Sequence, residues 1–177
     1  MHHLGRLPLL VLLIGIAGAA MLIPAGYAAA TGWTAIAGYF AFSAMLLLVL
    51  TALLGVATAG RSRPAGSNGL PVLATMLAVF GLLPLALGVP LSMALPDTGI
   101  FNAWWEMLSC LTTTGASLYA PDLLDPTLHL WRATVGWLGG LFVLVAAIAL
   151  LAPIHVGGFE IVSDTGTAIA ADRTDDP

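Results

Sequence analysis

Thr112, Thr113, Thr114 and Gly115 offer chemistry without a titrating side chain. Held extended, their backbone carbonyls can replace the hydration shell of a cation without bringing a full charge to it. Gly115 permits backbone angles that other residues resist. The surrounding string, Leu111-Thr112-Thr113-Thr114-Gly115-Ala116-Ser117, is a poor helix, because β-branched residues lose χ1 freedom there and glycine adds backbone entropy cost. Taken alone, such a string is also an ordinary Thr-rich turn between helices. Its position separates the two readings. The helix-like segment before it, Thr98 to Cys110, is too short to cross a bilayer, whereas the apolar segment after it, Leu128 to Leu151, is long enough. A half-crossing helix, an extended polar loop and a full crossing bring bare carbonyls to an ion path.

The neighbouring polar residues read as support for that loop. The C-terminal carbonyls of the short helix point toward it, so the negative end of the helix dipole favours a cation there. Asp97-Thr98 is expected to cap the helix start. Glu106, within the helix, hydrogen-bonds behind the loop, or adds negative potential, or is a structural partner for an amide or hydroxyl in the repeat. Arg132, in the first turn of the last apolar segment, is placed to pair with Glu106, Asp122 or Asp125, or to snorkel to the interface. Gly136, Gly139 and Gly140 include a Gly136-x-x-x-Gly140 spacing that reads as close helix packing. His129 and His155 read as interfacial, with no second metal ligand suitably spaced. Cys110 is the single cysteine, which excludes an internal disulfide and a cysteine-rich metal site, and no basic neighbour lowers its thiol pKa. No nucleophile is paired with a base, so the chain does not read as an enzyme.

The elements that must position these residues are membrane spans. The chain has 177 residues, of which 59% are hydrophobic and 8% charged, with mean hydropathy +1.00. Soluble domains carry roughly 25% charged residues. No Asp, Glu, Lys or Arg occurs between Arg6 and Arg61, between Arg63 and Asp97, or between Arg132 and Glu160. The first of these runs is long enough for two spans and each of the others for one. Net charge is −4 and lysine is absent, so nucleic-acid binding has no electrostatic support. The expected fold is all-α and polytopic: four transmembrane helices plus one re-entrant pore helix and an extended filter loop.

Span one is expected over Leu7 to Ala28, as an uncleaved helix rather than a signal peptide, and Thr31-Gly32-Trp33 makes the turn. Tyr27 and Trp33 suit an interface belt. Span two runs from Ala35 to Ala59, and residues 1–60 form an N-terminal helix pair. Residues 61–69, Arg61 to Gly69, are a breaker-rich cytoplasmic linker. Residues 70–160 form a helix–pore helix–helix repeat: span three from Leu70 to Leu95 with Pro84 and Pro90 inside it, the short helix and loop, then span four from Leu128 to Leu151. Pro153 and Gly157-Gly158 end the last span, and residues 161–177 are expected to be a disordered cytoplasmic tail. Under four crossings Arg6, Arg61 and Arg63 fall on one side, with Arg132 near the other. The positive-inside rule then places both termini in the cytoplasm of a cell whose cytoplasmic (inner) membrane holds the chain.

Phe101-Asn102-Ala103-Trp104-Trp105-Glu106 through Leu111-Thr112-Thr113-Thr114-Gly115-Ala116 resembles the first pore loop of the Trk/Ktr/HKT potassium transporter superfamily, and within it the bacterial TrkH-type membrane subunit. Leu130-Trp131-Arg132 and Gly136-Trp137-Leu138-Gly139-Gly140 resemble the start of the helix that follows that loop. Pro153 and Val156-Gly157-Gly158 resemble its cytoplasmic end, and Met21-Leu22-Ile23-Pro24 the first helix. The resemblance implies potassium uptake through a filter made by four such repeats. It implies potassium-coordinating oxygens at Thr113 and Thr114, with Thr112 and Gly115 flanking them. It also implies a homodimer in the lipid bilayer that docks a cytoplasmic nucleotide-binding regulatory subunit, with potassium as the transported ion and no prosthetic group. Cys110 stands where the pattern usually has Gly, and Ser117 where it usually has Thr. The chain holds the leading pair and one repeat only, so it is expected to be a fragment or a truncated or split gene product. A non-conducting membrane scaffold or a remnant of such a transporter is the alternative.

Overall fold

The computed structural model describes residues 9–58 and 70–151. The linker at 61–69, Arg6, Arg61, Arg63, His155, Pro153 with Gly157-Gly158, and the tail at 161–177 lie outside the described residues. The first apolar run folds as α1 (Leu9–Ala20) and α2 (Leu22–Ala30). Pro24 has no N–H to return to the Ala20 carbonyl, and the break falls at Met21. Met21 keeps helical angles (φ −63, ψ −21). Its N–H still reaches the Ala17 carbonyl at 3.3 Å, so the two pieces make one span, Leu9–Ala30. Thr31 ends it by bonding its hydroxyl back to the Tyr27 carbonyl at 2.9 Å. Gly32 then takes φ +87, a turn conformation that favours glycine. α3 (Thr34–Thr58) returns along α1 and α2.

α4 (Leu70–Ala94) carries Pro84 and Pro90. A proline displaces the carbonyl four residues back and opens the helix wall at the carbonyl three residues back. Those latter carbonyls belong to Gly81 and Leu87. Each accepts an indole N–H from another part of the chain: Trp104 Nε1 donates to Gly81 O at 3.1 Å, and Trp131 Nε1 to Leu87 O at 3.1 Å. Neighbouring helices thus re-satisfy what the prolines disturb, as a bilayer requires. Trp131 is wholly buried and meets the Phe40 ring edge-on, 5.5 Å between centroids, which ties the leading pair to the repeat.

The short helix α5 spans Ile100–Leu111. The cap expected at Asp97-Thr98 is corrected: Gly99 is the N-cap, with no side-chain bond. The Thr98 N–H is already committed to a turn bond with Leu95 O at 2.9 Å, so the first helical bond runs from Ala103 N–H to Gly99 O. α6 (Pro126–Leu151) begins two residues before the expected Leu128. Asp125 caps it, its Oδ1 accepting the Thr127 N–H at 2.7 Å, and proline fills the first helical position.

The re-entrant path follows from two close approaches. Near its start α5 packs on α4, where a Cβ built on Gly88 would lie 3.0 Å from the Ala103 carbonyl. At its end the Leu111 carbonyl lies against Gly139. Gly139 is thirteen positions beyond Pro126, about 20 Å down α6 at 1.5 Å per residue. The chain therefore descends from the C-terminal end of α4 to the middle of α6, and returns through residues 112–125 to the start of α6. α1–α2, α3, α4 and α6 supply four helices long and apolar enough to cross a membrane, α5 is too short to do so, and the described residues contain no strand. The chain is an all-α, multi-pass membrane protein.

Candidate functional site

Helix α5 ends because Thr112 turns its hydroxyl back to Leu108 O at 2.8 Å and leaves helical bonding at its C-cap. The next four N–H groups fold back onto the helix end. Thr112 N–H goes to Leu108 O at 2.9 Å and Thr113 N–H to Cys110 O at 2.9 Å. Thr114 and Gly115 N–H share Ser109 O, at 3.0 and 3.3 Å. Thr113 takes φ +57 and Gly115 φ +75, with Thr112 at φ −80. Such alternation converges successive N–H groups on one side. In a trans peptide the C=O points opposite to the N–H. The carbonyls of Thr112, Thr113 and Thr114 therefore face away from the helix end. Among the described residues, no hydrogen bond uses the carbonyls of Thr112 to Gly115. Positive φ is common for glycine but strained for a β-branched residue, so Thr113 is held there by the bonds around it.

The far side of the loop is anchored by Glu106, which is fully buried. Its Oε1 lies 2.9 Å from Ser117 Oγ, and its Oε2 accepts the Leu118 N–H at 2.9 Å. Ser117 Oγ is also 3.1 Å from Tyr119 O. One hydroxyl proton serves one acceptor, and the carboxylate is the stronger. Arg132 Nε sits 2.8 Å from Glu106 Oε1. The Nε proton is not aimed along that line, so the contact is a charge pair rather than a directed hydrogen bond. Of the partners open to Arg132 in the sequence, the structure selects Glu106. Asp125 is used as the α6 cap, and His129 Nε2 lies 2.9 Å from the Pro121 carbonyl.

Thr113, Gly115, Cys110, Arg132, Ala133 and Gly136 line an open cleft of about 410 Å³. Cys110 has no basic neighbour along the chain, but Arg132 shares this cleft wall with it in space. The expected Gly136-x-x-x-Gly140 packing is also corrected. Gly140 faces open space, while a Cβ on Gly139 would overlap the Leu111 carbonyl and one on Gly136 would touch Cys110 O at 3.7 Å. The close approach is between α6 and the end of α5, one residue round the helix from the spacing read in the sequence.

The structure thus brings Thr112, Thr113, Thr114, Gly115, Glu106 and Arg132 together around one loop. Sequence reasoning missed Ser109, whose carbonyl takes two loop amides and whose hydroxyl donates to Ala116 O at 2.7 Å. A serine late in a helix usually bonds its own preceding turn, so nothing in the sequence marks it out. The two indole donors were missed for the same reason: the prolines were legible, but not which tryptophan reaches them.

The chain is similar to Trk system potassium uptake proteins. It is 38% identical over 87 residues to TrkI of Halomonas elongata, covering 48% of this chain and 16% of that protein. It is 36% identical over 88 residues to TrkH of the same organism, covering 49% and 17%. With TrkH of Escherichia coli (strain K12) it shares 37% identity over 67 residues, 37% of this chain and 14% of the other. The matched stretch spans about a sixth of the Halomonas relatives' own length. No family model and no solved structure matches the chain.

Proposed function

We propose, on the likeness to Trk system potassium uptake proteins, that this chain is the N-terminal part of a Trk-type ion-conducting subunit for potassium uptake. In this proposal Thr112, Thr113, Thr114 and Gly115 contribute one quarter of a selectivity filter, with potassium held at Thr113 and Thr114. The observation that carries it is the division of the loop's backbone: every N–H from Thr112 to Gly115 is bonded to the end of α5, and the carbonyls take no hydrogen bond among the described residues. That arrangement suits a cation that has shed its water, because several weak dipoles replace hydration without a charge that would hold the ion. Glu106 and Arg132 support the loop and make no contact with the ion. The net negative end of α5 adds a favourable field.

The proposed setting is the cytoplasmic membrane, with both termini inside and the loop opening outward. The proposed partners are the lipid bilayer, the remaining repeats of the same transporter, a second copy of the subunit and a cytoplasmic nucleotide-binding regulatory subunit. A chimera tests the function. The 177-residue chain replaces the matching part of the Escherichia coli relative, in a strain lacking potassium uptake. Growth on limiting potassium is the expected result. A chimera present in the membrane at normal abundance that gives no growth overturns the proposal.

A further inference from the structure

We infer that Ser109 is a specificity-determining positioning residue of the loop, an inference that rests on the proposed potassium filter. Ser109 lies in the last turn of α5 and is 5% exposed. It holds the loop at four atoms, one of them the Thr112 hydroxyl, which also reaches the Ser109 carbonyl at 3.3 Å. Its carbonyl accepts the Thr114 and Gly115 N–H groups, at 3.0 and 3.3 Å, which fixes the direction of the Thr113 and Thr114 carbonyls on the same two peptides. Its hydroxyl reaches seven residues forward to Ala116 O at 2.7 Å. Thr112, three residues on, does the ordinary thing and bonds back to Leu108 O. The forward bond of Ser109 takes the Ala116 carbonyl out of the set of oxygens open to an ion. The open set then ends at Gly115, and its spacing is fixed from one residue behind it. Loss of the hydroxyl frees the Ala116 carbonyl and lets the Ala116–Ser117 peptide rotate. An added, mobile oxygen lets the loop close on a smaller ion, so sodium gains relative to potassium.

The test uses the purified chimeric transporter in lipid nanodiscs, where the relative's remaining repeats complete the ring, with the amide signals of Thr113, Thr114 and Gly115 followed by NMR as potassium chloride or sodium chloride is added. In the chimera with the unaltered chain potassium shifts these signals at lower concentration than sodium. A neutral hydrogen bond corresponds to roughly a two- to tenfold change in an equilibrium, so Ser109→Ala lowers the potassium-over-sodium ratio by about that factor. Ser109→Thr, which keeps the hydroxyl, retains the ratio. Ser92→Ala, at a residue whose hydroxyl bonds its own helix at Val89 O, leaves it unchanged. Should Ser109→Ala not fold, Ser109→Cys, with its weak donor, carries the same expectation. A preference unaltered in the folded Ser109→Ala or Ser109→Cys chain overturns the inference while leaving the filter proposal standing. An equal loss in Ser109→Thr and Ser109→Ala assigns the effect to packing and also overturns it. If the unaltered loop responds to neither ion, the filter proposal itself falls and this inference falls with it.

Discussion

Glu106 and Arg132 form a charge pair 2.8 Å apart across α5 and α6, with the carboxylate wholly buried and the arginine 18% exposed. The asymmetry predicts unequal single variants. Removing one partner of a buried pair costs about 3–5 kcal/mol when the other charge is left uncompensated. Arg132→Gln strands Glu106 inside, whereas Glu106→Gln leaves an arginine that reaches water. Arg132→Gln is therefore expected to lower the thermal unfolding midpoint in detergent more than Glu106→Gln. The double variant should be better than Arg132→Gln alone. Equal single effects would show that burial does not set the energetics of this pair.

Gly139→Ala is expected to push α6 off the end of α5. The atom in the way is the Leu111 backbone carbonyl, which cannot rotate aside as a side chain would. Overpacking costs about 1–3 kcal/mol and occasionally more, and this site belongs at the upper end. Gly140→Ala meets open space and is expected to be neutral or slightly stabilising. Melting curves of the two purified variants, side by side, decide the matter.

Trp131→Phe removes the buried indole bond to Leu87 O, at a cost of about 0.5–1.5 kcal/mol. Trp104→Phe should cost less, because its bond to Gly81 O is exposed. If the indole repairs a proline defect, Pro90→Ala removes the ring that displaces the Ala86 carbonyl, lets the helix wall close over Leu87 O, and lessens the loss in the Trp131→Phe background. Strictly additive effects would sever Trp131 from Pro90.

Gly115→Asp is expected to abolish potassium-limited growth of the chimera while leaving its membrane abundance intact. Open space surrounds the Cβ position. Asp also tolerates positive φ better than most residues. The damage comes from a full charge beside these carbonyls, together with the strain a side chain meets at φ +75. Gly115→Ser should be milder and chiefly relax potassium-over-sodium selection. Growth at the unaltered rate with Gly115→Asp would remove this loop from the ion path.

A reporter enzyme fused after Phe159 is expected to be active only on the cytoplasmic side, as four crossings and the arginines at 6, 61 and 63 require. Activity only outside the cell would reverse the proposed orientation.

The sequence by itself determined the spans, the turn at Gly32 and the short helix with its Thr-Gly loop. These follow from charge-free length, from proline and glycine, and from β-branched residues that resist helix. Each is a local or one-dimensional property, so neighbours in sequence suffice to reveal it. Tertiary structure alone decided the partners. Arg132 faced three carboxylates in sequence, and only the crossing of α5 with α6 put Glu106 beside it. Gly139 rather than Gly140 lies at the close approach, because helix rotation is set by what α6 packs against. Ser109 gained its role because the loop doubles back over the helix end, a fold that no spacing along the chain encodes. Hydrogen bonds and ion pairs are won by distances of a few tenths of an ångström, and those distances exist only once the helices have packed.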